Sequence, residues 1–229
     1  MAVSVWRSLA RKAIPAVLVL LLAAASGQAA LAELGPILRD PQSPQLRQVS
    51  LTDGSVSPAY STASHNTVLR LCLQTITSVH VRMLPTSART ALLDACGDDV
   101  QVVLALTPAN GFARYMAGFL AVQRGDWEQA IAELKTSFAV APNEYWLARL
   151  RSDLVEDHFD VLGDALATEQ TADIAVTLQG EPGRSELAQR YWLDRTSSER
   201  IVSIAEGLSP EQQRLFLWAV QRYRPRDAQ

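Results

Sequence analysis

Residues 111–142 read GFARYMAGFLAVQRGDWEQAIAELKTSFAVAP, two apolar-rich runs flanking the turn Gly125-Asp126-Trp127. Small side chains at Gly118 and Ala130 let two antiparallel helices approach closely. Trp127 fills the gap beside them, and Pro142 stops the second helix because proline cannot continue the backbone ladder. Asp126 is a good N-cap, its carboxylate accepting a backbone N–H, with Gln129 placed three residues on to complete a capping box. The stretch predicts a helical hairpin.

Helical period extends outward in both directions. Leu69, Cys72, Leu73, Ile76, Val79 and Met83 form one amphipathic stripe that Pro85 closes, and Leu92, Leu93, Cys96, Val100, Val103 and Leu104 form the next. Cys72 and Cys96 are the only cysteines, and they lie equally far from residue 84 in the turn between these stripes. Antiparallel partners equidistant from a turn face each other, so a disulfide between them is expected in an oxidising compartment. Beyond Asn143, Leu147 to Leu166 predicts a longer helix and Ala172 to Leu178 a short one. Gly180-Glu181-Pro182-Gly183 is a turn, Thr196 and Glu199 suggest a capping box, and Ser209-Pro210 with Gln212 starts the last helix. Strand signals are nearly absent. The expected fold is all-α, helical hairpins stacked as one domain over residues 65–229.

Residues 1–32 differ from the rest. Arg7, Arg11 and Lys12 precede an unbroken apolar run from Ala16 to Ala25, followed by Ser26-Gly27-Gln28 and then Ala30-Leu31-Ala32, a signal-peptidase type of site, with Gly27-Gln28-Ala29 a second. The expectation is a signal peptide or an N-terminal membrane anchor. If the segment is uncleaved, membrane contact runs only through residues 13–32. Either way the bulk of the chain crosses the membrane, because the positive charges stay on the cytoplasmic side. Residues 33–64, with Pro36, Pro41, Pro44 and Pro58 and six serines, read as an extended linker. Only Lys12 and Lys135 are lysines against 19 arginines, a bias of GC-rich bacterial genomes, so a Gram-negative periplasm is the expected destination, with an inner-membrane anchor and a periplasmic bulk as the alternative. The chain carries 21 basic and 24 acidic residues, three of the basic and none of the acidic in residues 1–32, so the remainder is net −6. That sign argues against nucleic acid as a partner.

The 111–142 hairpin resembles a tetratricopeptide repeat at Gly118, Gly125, Ala130 and Pro142. It departs from that pattern where Ala121 and Leu134 replace aromatics, and where Arg114 and Ala117 replace the Trp and Leu. The resemblance covers about one repeat. It implies a TPR-like or α-solenoid-like array holding protein segments on a concave face, and on that face Arg114, Tyr115 and Arg149 are the candidate contacts, with Arg151 also able to frame an acidic partner.

No catalytic motif stands out. The sequence has no HExxH, GxSxG, Walker loop or GxGxxG, and His65, His80 and His158 lie far apart, with only the Glu156–Asp160 stretch clustering acids around one of them. No catalytic residue, metal ligand or cofactor is therefore assigned. Arg222, Arg224 and Arg226 suit a helix C-terminus, where the dipole favours cations. Two readings of function follow. The first is an exported, non-enzymatic scaffold or adaptor binding protein partners of the cell envelope, accessory to envelope or surface-polysaccharide assembly. The second is an envelope enzyme, a hydrolase or polysaccharide-modifying protein, with an active site dispersed over the helices.

Overall fold

The computed structural model describes residues 2–38 and 43–225, with side chains from residue 17 onward except that of Ile37. Pro41 and Arg226 lie outside the described residues. Among those residues the secondary structure is α-helical, with no strand. The chain forms two compact units, Met1–Val103 and Leu104–Gln229, so residues 65–103 group with the N-terminal segment and not with the rest of the expected 65–229 domain.

In the first unit, α1 (Ala2–Leu38) contains a 20-residue stretch, Val17–Pro36, long and apolar enough to cross a membrane. The expected extended linker is corrected here. α1 continues through Leu38, and α2 (Pro44–Thr52) occupies the middle of the segment. Pro44 stands at a helix start, where its missing N–H costs nothing, and the Ser43 hydroxyl accepts from Leu46 N–H at 3.3 Å. A proline at a helix start and one inside a linker look alike in sequence.

Glu33 joins α1 to α3 (Thr62–Ile76). One carboxylate oxygen accepts from the Tyr60 and Ser61 N–H groups at 2.8 Å each, and the other accepts from the Ser61 hydroxyl at 2.5 Å. Ser61 in turn caps α3 by accepting from Ser64 N–H. The predicted stripe through Met83 breaks at Thr77, where Ser78 caps a new short helix, α4 (Val79–Arg82). α5 (Thr86–Leu106) follows and carries the chain into the second unit. Cys72 on α3 and Cys96 on α5, both fully buried, are joined, with Cα atoms 5.9 Å apart.

In the second unit, α6 (Gly111–Arg124) and α7 (Trp127–Val140) form the hairpin. Gly125 has φ of 75°, a left-handed conformation that ends α6 at little cost only for glycine, and Asp126 caps α7 through Gln129 N–H. A Cβ on Gly118 would stand 2.9 Å from Leu134 Cγ, so the helices are as close as the small residue allows. The predicted Leu147–Leu166 helix is two helices, α8 (Tyr145–Asp157) and the single turn α9 (Phe159–Leu162), broken at His158.

α10 (Ala167–Thr177) then packs along α8. α11 (Glu181–Leu193) starts against Tyr145, whose hydroxyl accepts from Gly183 N–H at 2.8 Å. Any Cβ on Gly180 would fall 2.3 Å from that ring. α12 (Arg195–Glu206) is capped by Asp194, two residues before the Thr196 box that the sequence suggests, and α13 (Pro210–Arg222) opens with the Ser209–Gln212 capping box. Ile174, Leu187, Ile201 and Phe216 close the core between α10 and α13. Each such buried side chain contributes roughly 1.5–3 kcal/mol relative to exposure.

Reduction of the Cys72–Cys96 bridge, which spans 24 residues of sequence, is expected to lower stability by about 3 kcal/mol through the entropy of the freed loop, read as a fall in the urea midpoint with reductant. A second expectation concerns Asp99 on α5, whose carboxyl is pushed up to about 7 by burial and by the neighbouring Asp98. Its folded pKa lies above its unfolded value, so the native state holds a proton that the unfolded chain has already released. Stability is therefore retained in acid and lost as pH rises from about 4 to 7. Thermal melts across that window should show a larger loss in the wild type than in Asp99→Asn.

Candidate functional site

The structure places the three sequence-predicted contact residues in or against α6 and α8, and does not leave them as an open row. Tyr115, expected to be exposed, is only 3% exposed. Its ring lies between Phe112 and Phe119, with centroids 6.1 and 6.2 Å away. Burial, with Asp153 and Asp157 nearby, pushes its hydroxyl pKa upward. The reason is that α6 is apolar nearly all round and is buried along Phe112–Val122 except at Arg114, so it presents no open row of side chains.

Arg114 pairs with Glu133 at 3.0 Å and donates to the Pro108 carbonyl, tying the hairpin to its own entry loop. Arg149 grips Glu186 through two donors, one at 2.9 Å, and its guanidinium sits 5.8 Å from the Tyr145 ring centre. Both cations are thus partnered within the chain, each still partly exposed. Trp146, its ring edge-on to Phe112, is 38% exposed on the same helix as Arg149.

Arg151, expected to frame an acidic partner, is the largest fully buried side chain, at 2% exposure. Its Nε and Nη2 donate to the two oxygens of Asp173 at 2.7 and 2.6 Å. The remaining donors reach the Ser137 carbonyl and hydroxyl and the Ala141 carbonyl at 3.2–3.4 Å. Both carbonyls lie at the C-terminal end of α7, where the dipole favours a cation; Ser137 O also accepts the Ala141 N–H, whereas Ala141 O, at the cap, is past the last helical bond. Ser137 passes the link on, its hydroxyl donating to Gly111 O at 2.8 Å. Burial pushes the Asp173 carboxyl up while the Arg151 guanidinium opposes the shift.

A second buried acid, Glu156, accepts from Gln170 Nε2 at 2.9 Å, from the Ser197 hydroxyl at 2.5 Å and from Arg200 Nη2 at 2.7 Å. Burial acts against its charge, yet the bonds from Arg200, Ser197 and Gln170 together hold its carboxyl below the ordinary range. Arg200 lies over the Phe159 ring at 3.3 Å. Sequence reading singled out the acids around His158 and missed that Glu156 is a structural member. Its partners lie 14, 41 and 44 residues away on α10 and α12, so no local pattern marks it.

Beside Arg200 is a cavity of about 380 Å³ lined by Phe159, Gln170, Ile174, Glu199 and Ile204 among others. Its lining has one carboxylate and no histidine. His65 shares a hydrogen bond with Ala59 O, His80 one with Gln48, and His158 contacts Trp127, so each histidine is used by the fold. Among the described residues no group of three or more His, Cys, Asp and Glu is placed to hold a metal. Comparison with protein families, with curated proteins and with solved structures finds no match.

Arg151→Met should destabilise the second unit by about 3–5 kcal/mol, because it leaves Asp173 buried without its countercharge. Adding Asp173→Leu should recover much of that loss. Urea unfolding of the two variants against wild type measures both.

Proposed function

We propose that the protein is an exported, non-enzymatic scaffold that binds protein partners of the bacterial cell envelope, accessory to envelope or surface-polysaccharide assembly, with α1 as its inner-membrane anchor. The observation carrying this reading is the arrangement of the second unit. Helices that begin at Gly111, Tyr145 and Glu181 recur at about the 34-residue period of a tetratricopeptide unit, each followed by one or more helices that fold back on it. Three such units suffice to bury a shared core. The apolar α1 and the cysteine pair support an oxidising compartment reached by export.

With Tyr115 buried, the contact surface is reassigned to the exposed side of α8. Trp146 supplies aromatic area there, and Arg149, held in place by Glu186, supplies a cation of fixed direction. Aromatic and arginine side chains dominate binding energy at protein interfaces.

The test is affinity capture from solubilised envelopes with wild type, Trp146→Ala/Arg149→Ala and Tyr115→Ala. The double variant should keep its helical spectrum with a modestly lower melting temperature, because a half-exposed ion pair is worth only about 0–1 kcal/mol and Trp146 gives up only its contact with Phe112, and it should lose the captured partner. Tyr115→Ala should instead unfold, with a loss of about 3–5 kcal/mol typical of a buried aromatic. A partner retained by the folded double variant would remove the α8 surface from the reading.

A further inference from the structure

The outward side of α13 is built unlike an ordinary solvent face. Phe216, Ala219 and Val220 point into the core, which leaves Leu215, Leu217 and Trp218 on the other side, the last two 57% exposed. A helix closing an array should turn a polar side to water. Here the exposed side carries an apolar centre with a cation one turn away in each direction, Arg214 and Arg222 standing four residues before and after Trp218. The Arg222 guanidinium is 5.3 Å from the Trp218 ring centre, and neither arginine is in an ion pair with any described residue. The one acid on this helix, Glu211, lies in its first turn, where it suits the positive end of the dipole. Trp192 donates to Val220 O at 2.8 Å and brings the ends of α11 and α13 side by side. Leu193, 86% exposed, therefore stands at the same end as Arg222.

We infer that this face of α13 docks on the surface of a bilayer containing anionic phospholipid. Three observations select that occupant. An exposed tryptophan flanked by arginines has the composition of an interfacial helix, whose rings sit at headgroup level while its cations meet lipid phosphates. The local charge is positive on a chain that is net −6 beyond residue 32, so the patch is complementary to an acidic surface and opposite in sign to the chain's net charge. The same chain also carries a helix of membrane-spanning length, Val17–Pro36, which holds everything after it near a bilayer at the raised effective concentration of a tether. In this last respect the inference rests on the anchor reading of α1.

The experiment reconstitutes the full chain into phosphatidylcholine vesicles with and without phosphatidylglycerol, using brominated acyl chains as quencher. The emission of Trp218 is taken as the difference between wild type and Trp218→Phe. With phosphatidylglycerol, that emission should be quenched and shifted to the blue. Quenching should fall without the anionic lipid and with added salt, and Arg214→Gln/Arg222→Gln should lower the docked-to-free ratio by roughly fivefold for each arginine removed. Unquenched Trp218 emission in phosphatidylglycerol vesicles from which carbonate does not extract the protein would overturn the docking and leave the anchor reading standing. Failure of the protein to float with either vesicle would overturn both. A blue shift that appears without lipid and grows with protein concentration would assign the face to a second copy of the chain and overturn the bilayer as its occupant.

Discussion

A guanidinium that has lost its water must find partners for five N–H donors and one charge inside the protein. Arg151, on α8, does this by reaching two other helices at once. Asp173 on α10 takes the charge, and the last carbonyls of α7 take the remaining donors. Ser137 extends the contact to the start of α6. The packing of α6, α7, α8 and α10 in the second unit is therefore tied together at one side chain, and an arrangement that parted the cation from the aspartate would leave a buried charge without its partner. Glu156, further along α8, repeats the device toward α10 and α12 through Gln170, Ser197 and Arg200. Buried polar pairs of this kind are poor sources of net stability. Their use is to make wrong registers costly.

What was legible in the sequence was what depends on near neighbours. The hairpin at residues 111–142 could be read because Gly125, Asp126 and Pro142 act within a few residues of themselves. The facing of Cys72 and Cys96 needed only equal distances from a turn, and it held even though the intervening stripe breaks at Thr77 into two helices. Prolines misled where position within an element decides their effect. Pro44 opens α2, yet the same residue inside a serine-rich stretch reads as linker.

The charged residues were the least legible, for a physical reason. Arg114, Arg149 and Arg151 all sit in helical runs, but their fates are decided by Glu133, Glu186 and Asp173, between 19 and 37 residues away. The aromatic row Phe112, Tyr115 and Phe119 was readable as a helical stripe. That α6 is buried on its other sides too is settled by elements not adjacent to it in sequence. The proposed contact surfaces lie on α8 and α13 instead of the hairpin. On both helices aromatic area stands beside arginine.

The most direct measurement of the dependence on Arg151 is native-state hydrogen exchange under mild denaturant, comparing wild type with Arg151→Met. If one side chain holds α6, α7, α8 and α10 together, amides of all four helices exchange through a single opening in the wild type, and the substitution lowers their protection by a common amount. Loss of protection confined to α8, with α6 and α7 as protected as before, would contradict it.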